Sequence, residues 1–293
     1  MIAKPFIAKW QEHSPWKEFA QVEQDLIISR ALVEIFSDDF LREHLAFRGG
    51  TALHKLYLNP APRYSEDIDL VQIKPGPIKP IMQRIGEVIT FFEEDRKTQN
   101  RGHGIKALYR FTSEYEDIRM RLKLEINCRE HFNVLDWIDF PFKVESDWFQ
   151  GDCHIRTYNI NELLGTKLRA LYQRSKGRDL FDLDYARLNI DINVDKILQC
   201  FYRYIAFATK KKPPSKKEFL QNIEAKESDT DFIPETKWFE SFSLVAAANS
   251  FVANPRRSSG FTCVWRLAVN HIDFALTFPN HFASGIAGTW KPC

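Results

Sequence analysis

The chain has 293 residues, 44% hydrophobic and 27% charged, with 41 Lys+Arg against 39 Asp+Glu and five cysteines. That composition supports a sizeable core and excludes the disordered and fibrous classes, and no apolar run approaches the ~18–20 residues of a membrane span. An odd cysteine count without Cys-x-x-Cys spacing, and no secretory signal in the first residues, point to a reducing cytoplasm, while a net charge of +2 leaves any nucleic-acid contact to a local patch.

Ser14-Pro15 starts a predicted helix whose apolar positions run from Phe19 to about Phe40. A short strand, Leu45-Ala46-Phe47, leads into Arg48-Gly49-Gly50-Thr51, and residues 52–57 have helical character. Pro60 and Pro62 break the chain before Asp67-Ile68-Asp69-Leu70-Val71, which alternates as a strand. Prolines 75, 77 and 80 bound a helix over 81–94. Residues 105–111 and 118–126 alternate as adjacent antiparallel strands joined by the polar turn 113–117, and 140–144 and 154–158 add two short strands. From Asn161 the pattern is helical: 162–175, 179–188, 194–209, 215–224 and 235–253. The expected class is α+β. A mixed-sheet domain over 1–160 with flanking helices precedes a helical bundle over 161–253, and 254–293 form an irregular extension. Cys263, His271, His281 and Cys293 in that extension match no compact zinc spacing.

Three features stand in order. On a strand, residues two apart share a face, so Asp67 and Asp69 project together. Two adjacent carboxylates repel unless a cation lies between them, which makes Asp-x-Asp a natural divalent-metal site. Glu125, on a later strand between Leu124 and Ile126, supplies a third carboxylate. Gly49 and Gly50 let backbone approach a phosphate, amides at a helix start hold its charge, and Thr51 adds a hydroxyl. The combination suits metal-assisted transfer of a nucleotidyl group. Taken one at a time, each piece also has a plain structural meaning: a turn, a solvated strand end, an exposed strand face. His54, His103 and His131 have no partners at metal-ligand spacing, and no Gly-x-Ser-x-Gly, Walker A or Rossmann pattern occurs.

Phe47-Arg48-Gly49-Gly50-Thr51-Ala52-Leu53 followed by Arg63-Tyr64-Ser65-Glu66-Asp67-Ile68-Asp69-Leu70 resembles the first two motifs of the AbiEii-type nucleotidyltransferase toxins, within the DNA polymerase β-like superfamily. The run from Glu162 to Leu171, then Arg174, then Arg178-Asp179-Leu180-Phe181-Asp182-Leu183, resembles the third and fourth motifs. The resemblance spans Leu45 to Leu188. It implies a bacterial toxin–antitoxin or phage-defence toxin with a separately encoded antitoxin, using Mg²⁺, expected as two ions, and a nucleoside triphosphate. Some members add nucleotides to tRNA 3′ ends. By matching motif, Asp67, Asp69 and Ser65 belong to the metal and phosphate centre, Lys167 is the motif lysine and Asp182 the fourth-motif aspartate. Glu125 matches the third carboxylate by context. Arg48, Gly49, Gly50, Thr51 and Ser65 are expected to cradle phosphates, with Lys167 stabilising charge.

Two rival expectations stand beside it: the same chemistry on a small molecule such as an antibiotic, and a catalytically silent module that binds nucleotide or a partner. Arg203 and lysines 210, 211, 212, 216 and 217, interleaved with Tyr202, Tyr204 and Phe207, are either a solvated loop or a phosphate-backbone contact for RNA.

Overall fold

The structure, a computed structural model, describes residues 2–102 and 104–226. His103, the expected helix 235–253 and the extension with its Cys and His residues lie outside them. The chain divides into two compact units, Met1–Leu164 with Tyr185–Ile192, and Gly165–Asp184 with the chain from Asn193. The crossings after Leu164 and after Asp184 fall inside helices, the first of them close to the expected boundary at residue 160; the expected boundary at 253 lies outside the described residues.

The first unit opens with α1 (Lys4–Trp10), a single 3₁₀ turn and α2 (Phe19–Ser37). The sequence reading placed no element before Ser14. Pro5 near the start of α1 costs no hydrogen bond there, and Ile7 and Trp10, three apart, anchor the helix. α2 is buried over most of its surface, with Val22, Ile27, Ile28 and Phe36 among its apolar core residues and Glu23, Gln24 and Ser29 buried beside them. It does not continue to Phe40 as expected. Asp38 turns extended, its Oδ1 accepts from Leu41 N at 2.9 Å, and that cap starts α3 (Asp39–His44).

β1 (Leu45–Arg48) runs into α4 (Gly49–Ala52), which continues as a π-helical turn to Tyr57. β2 (Asp67–Gln72), α5 (Ile78–Val88), β3 (Lys97–Arg101), β4 (Gly104–Thr112), β5 (Arg119–Asn127), β6 (Trp137–Glu145) and β7 (Gln150–Tyr158) follow. The seven strands form one mixed sheet in the order β3-β4-β5-β2-β1-β7-β6. β1 pairs antiparallel with β2 and parallel with β7, while β2 pairs parallel with β5. β3 has no apolar residue, so periodicity could not announce it; it is an edge strand held by β4 alone. α5 stops at Val88, short of the expected Glu94, because Phe91 and Phe92 turn into an aromatic cluster with Trp148, Tyr109 and Phe111. Alternation then fixes the faces. Ile105, Ala107, Tyr109 and Phe111 of β4 and Leu122, Leu124 and Ile126 of β5 are buried, which turns their polar neighbours to the other side.

α6 (Ile160–Gln173), α7 (Gly177–Asn189), α8 (Val194–Thr209) and α9 (Lys216–Lys226) complete the described chain. In the second unit, Gly165 of α6 meets α8 so closely that a Cβ there would lie 2.9 Å from the Ile197 carbonyl oxygen. α8 buries Ile197, Leu198, Phe201, Tyr204 and Ile205 at helical spacing, and Asn193 caps it by accepting from Lys196 N at 3.0 Å. Phe219 and Ile223 of α9 pack with Leu171, Leu180 and Leu183. Lys226, nearly buried, donates to the carbonyls of Leu171 and Tyr172 and so satisfies the C-terminal end of α6.

Candidate active site

The Gly-Gly turn is fitted to the Asp-x-Asp strand by geometry. Arg48 pairs in register with Asp69, and the chain leaves β1 through Gly49 at φ +80°. A Cβ on Gly49 would overlap the Asp69 carboxylate and come within 2.9 Å of its Cβ. Only glycine accepts both the backbone conformation and the close approach. Thr51 is buried. Its hydroxyl donates to the Asp67 carbonyl at 2.5 Å, so its single proton is committed and the 2.7 Å contact with Ser65 is a bond that Ser65 donates. The Thr51 side chain therefore ties α4 to the start of β2. Gly50 and Ser65 are partly exposed beside it.

Asp67 and Asp69 share one face of β2, and the parallel register sets Lys123 beside Asp67 and Glu125 beside Asp69. Burial raises the Asp69 carboxyl above its ordinary range, the charge of Asp67 adds to this, Arg48 opposes it and Glu125 reinforces it. Tyr64, next in chain to Ser65, is pushed up by burial and by the nearby charges of Glu66, Asp25 and Asp67. Negative charge thus crowds this corner of the sheet, which is the condition a divalent cation relieves. Lys123 forms an ion pair with Asp67 and lies 3.8 Å from Glu125, whose Oε2 is 2.8 Å from Lys106 Nζ. Among the described residues no three carboxylate, histidine or cysteine side chains converge as a ready ligand set. The two aspartates fit a metal. Glu125 stands in register next to them but is held by two lysines.

Arg48 bonds Glu130 at 2.5 Å and lies 5.7 Å over the Tyr158 ring. Sequence reasoning missed Glu130, Lys106 and Lys123. Of these only Lys123 had a local signal, since it precedes Glu125 by two on the same strand face. His54 is buried in the π-helical turn, and His131 Nδ1 lies 2.7 Å from the Gln72 carbonyl.

A second cluster belongs to the other unit. Lys167 Nζ lies 2.8 Å from Asp182 Oδ2 and 3.2 Å from Asp179 Oδ1, and both carboxylates are fully buried. Arg174 donates to Asp179 through Nε at 2.7 Å and Nη2 at 2.9 Å, a bidentate fork. Burial works to raise the Asp179 carboxyl, but the Arg174 hydrogen bond and the charges of Lys167 and Arg174 outweigh it and hold it below the usual range. The motif lysine Lys167 and the fourth-motif aspartate Asp182 are thus an ion pair. Asp182 is fully buried, and the residue sequence reasoning overlooked is Asp179, which binds two cations at once.

A mixed sheet that seats a Gly-Gly turn against an Asp-x-Asp strand is the arrangement that the nucleotidyltransferase resemblance implies. The chain belongs to the AbiEii family: the model described as nucleotidyl transferase AbiEii toxin, type IV toxin–antitoxin system, matches residues 30–244. It is accordingly a nucleotidyltransferase toxin of a toxin–antitoxin system, and membership implies an antitoxin partner and a nucleoside triphosphate substrate. Among solved structures, the fold is similar to MenT4, a nucleotidyltransferase toxin from Mycobacterium tuberculosis, with a TM-score of 0.54 at 16% identity over 74% of this chain and 75% of that one. The Helicobacter pylori protein JHP933 aligns at 18% identity over 78% of this chain and 99% of its own, with a TM-score of 0.43. No curated protein matches. Among the described residues no helix is long and apolar enough to cross a membrane.

Proposed function

We propose that the chain transfers a nucleoside monophosphate from a triphosphate to an acceptor hydroxyl, with a tRNA 3′ end as the acceptor the motif resemblance implies. The observation that carries this is the shared face of Asp67 and Asp69 with the Gly49 backbone against Asp69. In the reaction the acceptor oxygen bonds the α-phosphorus, the bond to the bridging oxygen breaks, and pyrophosphate leaves. The hydroxyl proton passes to a carboxylate of the cluster. Asp67 and Asp69 would hold Mg²⁺, which lowers the pKa of the attacking oxygen and neutralises phosphate charge.

The rest is this chain's own work. Gly49 and Gly50 leave room for phosphate at the turn, the Ser65 hydroxyl would turn its proton from Thr51 to a phosphate oxygen, and Thr51 fixes the turn in place. Arg48, clamped by Glu130, sets a positive charge beside Asp69. Glu125 is the third carboxylate of the proposal, oriented by Lys106 and Lys123. For Lys167, held by Asp182, the proposed task is stabilisation of triphosphate charge. Its support is the third-motif resemblance and an ammonium fixed by two buried carboxylates.

The test is incubation with each α-labelled triphosphate, Mg²⁺ and separate pools of total RNA, protein and small metabolites. Label in RNA is the expected result. Label in the small-molecule pool alone would reassign the acceptor, and no pyrophosphate release from any combination would overturn the transfer reaction.

A further inference from the structure

The face that carries the two aspartates also carries a band of positive charge that the reaction above leaves largely unused. Alternation puts Arg119, Arg121, Lys123 and Glu125 of β5 on this face, and register sets Lys106 and Arg110 of β4 beside them. Lys97 of β3, opposite Leu108, extends the band toward the sheet edge. The core side chains of β4 and β5 enforce this parity, so these cations cannot turn inward.

Arg110 and Arg121 are direct cross-strand partners. Like charges set opposite each other, about 5 Å apart at Cα, destabilise an antiparallel pair. Nearby acids are engaged elsewhere: Glu125 with Lys106 and Lys123, Glu94 with Arg119 at 2.5 Å, and Glu116 with the Ala20 amide. Among the described residues neither Arg110 nor Arg121 has an ion-pair partner, and Arg121 is exposed. Two opposed guanidiniums beside a row of cations form a receptor for repeated anions.

We propose that this face is the acceptor track: a single-stranded nucleic acid lies across β5 and β4, its phosphates neutralising Arg121 and Arg110, with its terminal hydroxyl at Asp67 and Asp69. The inference rests on the nucleotidyl-transfer reading. Guanidinium forks match phosphate oxygens bidentately and are indifferent to base sequence. A nucleic-acid strand also ends in the hydroxyl the reaction consumes, which an acidic protein segment does not. The lysines of 210–212, exposed in the second unit, are not needed for this track.

The experiment is fluorescence anisotropy of the full chain with a 5′-labelled oligoribonucleotide of mixed sequence across a salt series. The Arg110→Gln/Arg121→Gln double variant is expected to bind at least about tenfold more weakly, with a log–log salt slope flatter by about 1.4, at roughly 0.7 for each phosphate left unneutralised. Its melting temperature should hold or rise, since a repulsion is removed. An unchanged slope, or competition by polyglutamate as strong as that by an oligonucleotide of equal charge, overturns the proposal. A separate arm measures thermal stabilisation by Mg²⁺ with triphosphate in Asp67→Asn. Its loss there upholds the transfer site whatever the arginines do, and its survival sinks the site while leaving the arginine result to be read alone.

Discussion

In the first unit, Asp67 and Asp69 crowd negative charge onto one strand face, and burial with mutual repulsion raises the Asp69 carboxyl. In the second, Asp179 and Asp182 are buried more completely, yet Lys167 and Arg174 meet them and the Asp179 carboxyl is lowered. Asp69 and Asp179 move in opposite directions because Asp69 faces the charges of Asp67 and Glu125, opposed chiefly by Arg48, while Asp179 is met by two cations at hydrogen-bond distance. A charge cluster that opposes its own fold is suited to a ligand that restores balance. A matched one is suited to fixing geometry.

The largest expected effect separates the clusters by activity. Asp67→Asn or Asp69→Asn should lower transfer at least about 10³-fold, or about 4 kcal/mol, since several kcal/mol of charge stabilisation is removed. The melting temperature of Asp69→Asn should be unchanged or higher, because that variant removes a buried, repelled charge. Near-normal turnover in either variant would end the metal-site reading.

Stability should respond in the opposite sense in the second cluster. Asp182→Ala or Asp179→Ala breaks a buried ion pair of Lys167 and should destabilise by about 3–5 kcal/mol in urea unfolding. If Lys167 acts on the triphosphate and Asp182 holds it, Lys167→Ala and Asp182→Ala should also cut turnover more than nucleotide binding, with the double variant little worse than either single one. Lys167→Arg should rescue poorly, since a planar fork cannot replace a compact ammonium. Additive losses, or full activity in Lys167→Ala, would make the cluster purely structural.

Smaller, and local to the turn, is Gly49→Ala. A side chain at φ +80° costs about 1–2 kcal/mol before any clash with Asp69 is counted. Stability and turnover should fall together, and an unchanged melting temperature would show that the turn can relax away from the aspartate.

The smallest effect is in pH dependence. The raised Asp69 carboxyl favours its protonated form in the fold, so its contribution is complete below about pH 3.9 and is lost as pH rises through the raised value. The lowered Asp179 carboxyl contributes above about pH 3.9 and loses that contribution as pH falls through its depressed value. Urea midpoints against pH should therefore show Asp69→Asn flattening the decline on the rising side and Asp179→Asn flattening the acid side. Identical profiles in both variants would erase the contrast.

The glycine turn, the Asp-x-Asp strand, the β4–β5 hairpin and α8 were all legible in the chain, because each depends on residues close in sequence and on a period of two or 3.6. α1 was missed for want of length, β3 for want of apolar residues, and the break before α3 because a single capping carboxylate made it. Most of what the sequence withheld came from pairing distant segments. Nothing local sets β2 parallel to β5, yet that register alone puts Lys123 on Asp67 and Glu125 beside Asp69. Nor does the fourth motif by itself say that Asp179 is buried between Lys167 and Arg174. The sequence by itself determined the local elements and which side chains share a face, since backbone geometry repeats within a few residues. Which charges meet, and so which carboxyl is raised and which lowered, was decided only by the tertiary structure, because Coulomb interaction and desolvation act through space and across the strands and helices that folding brings together.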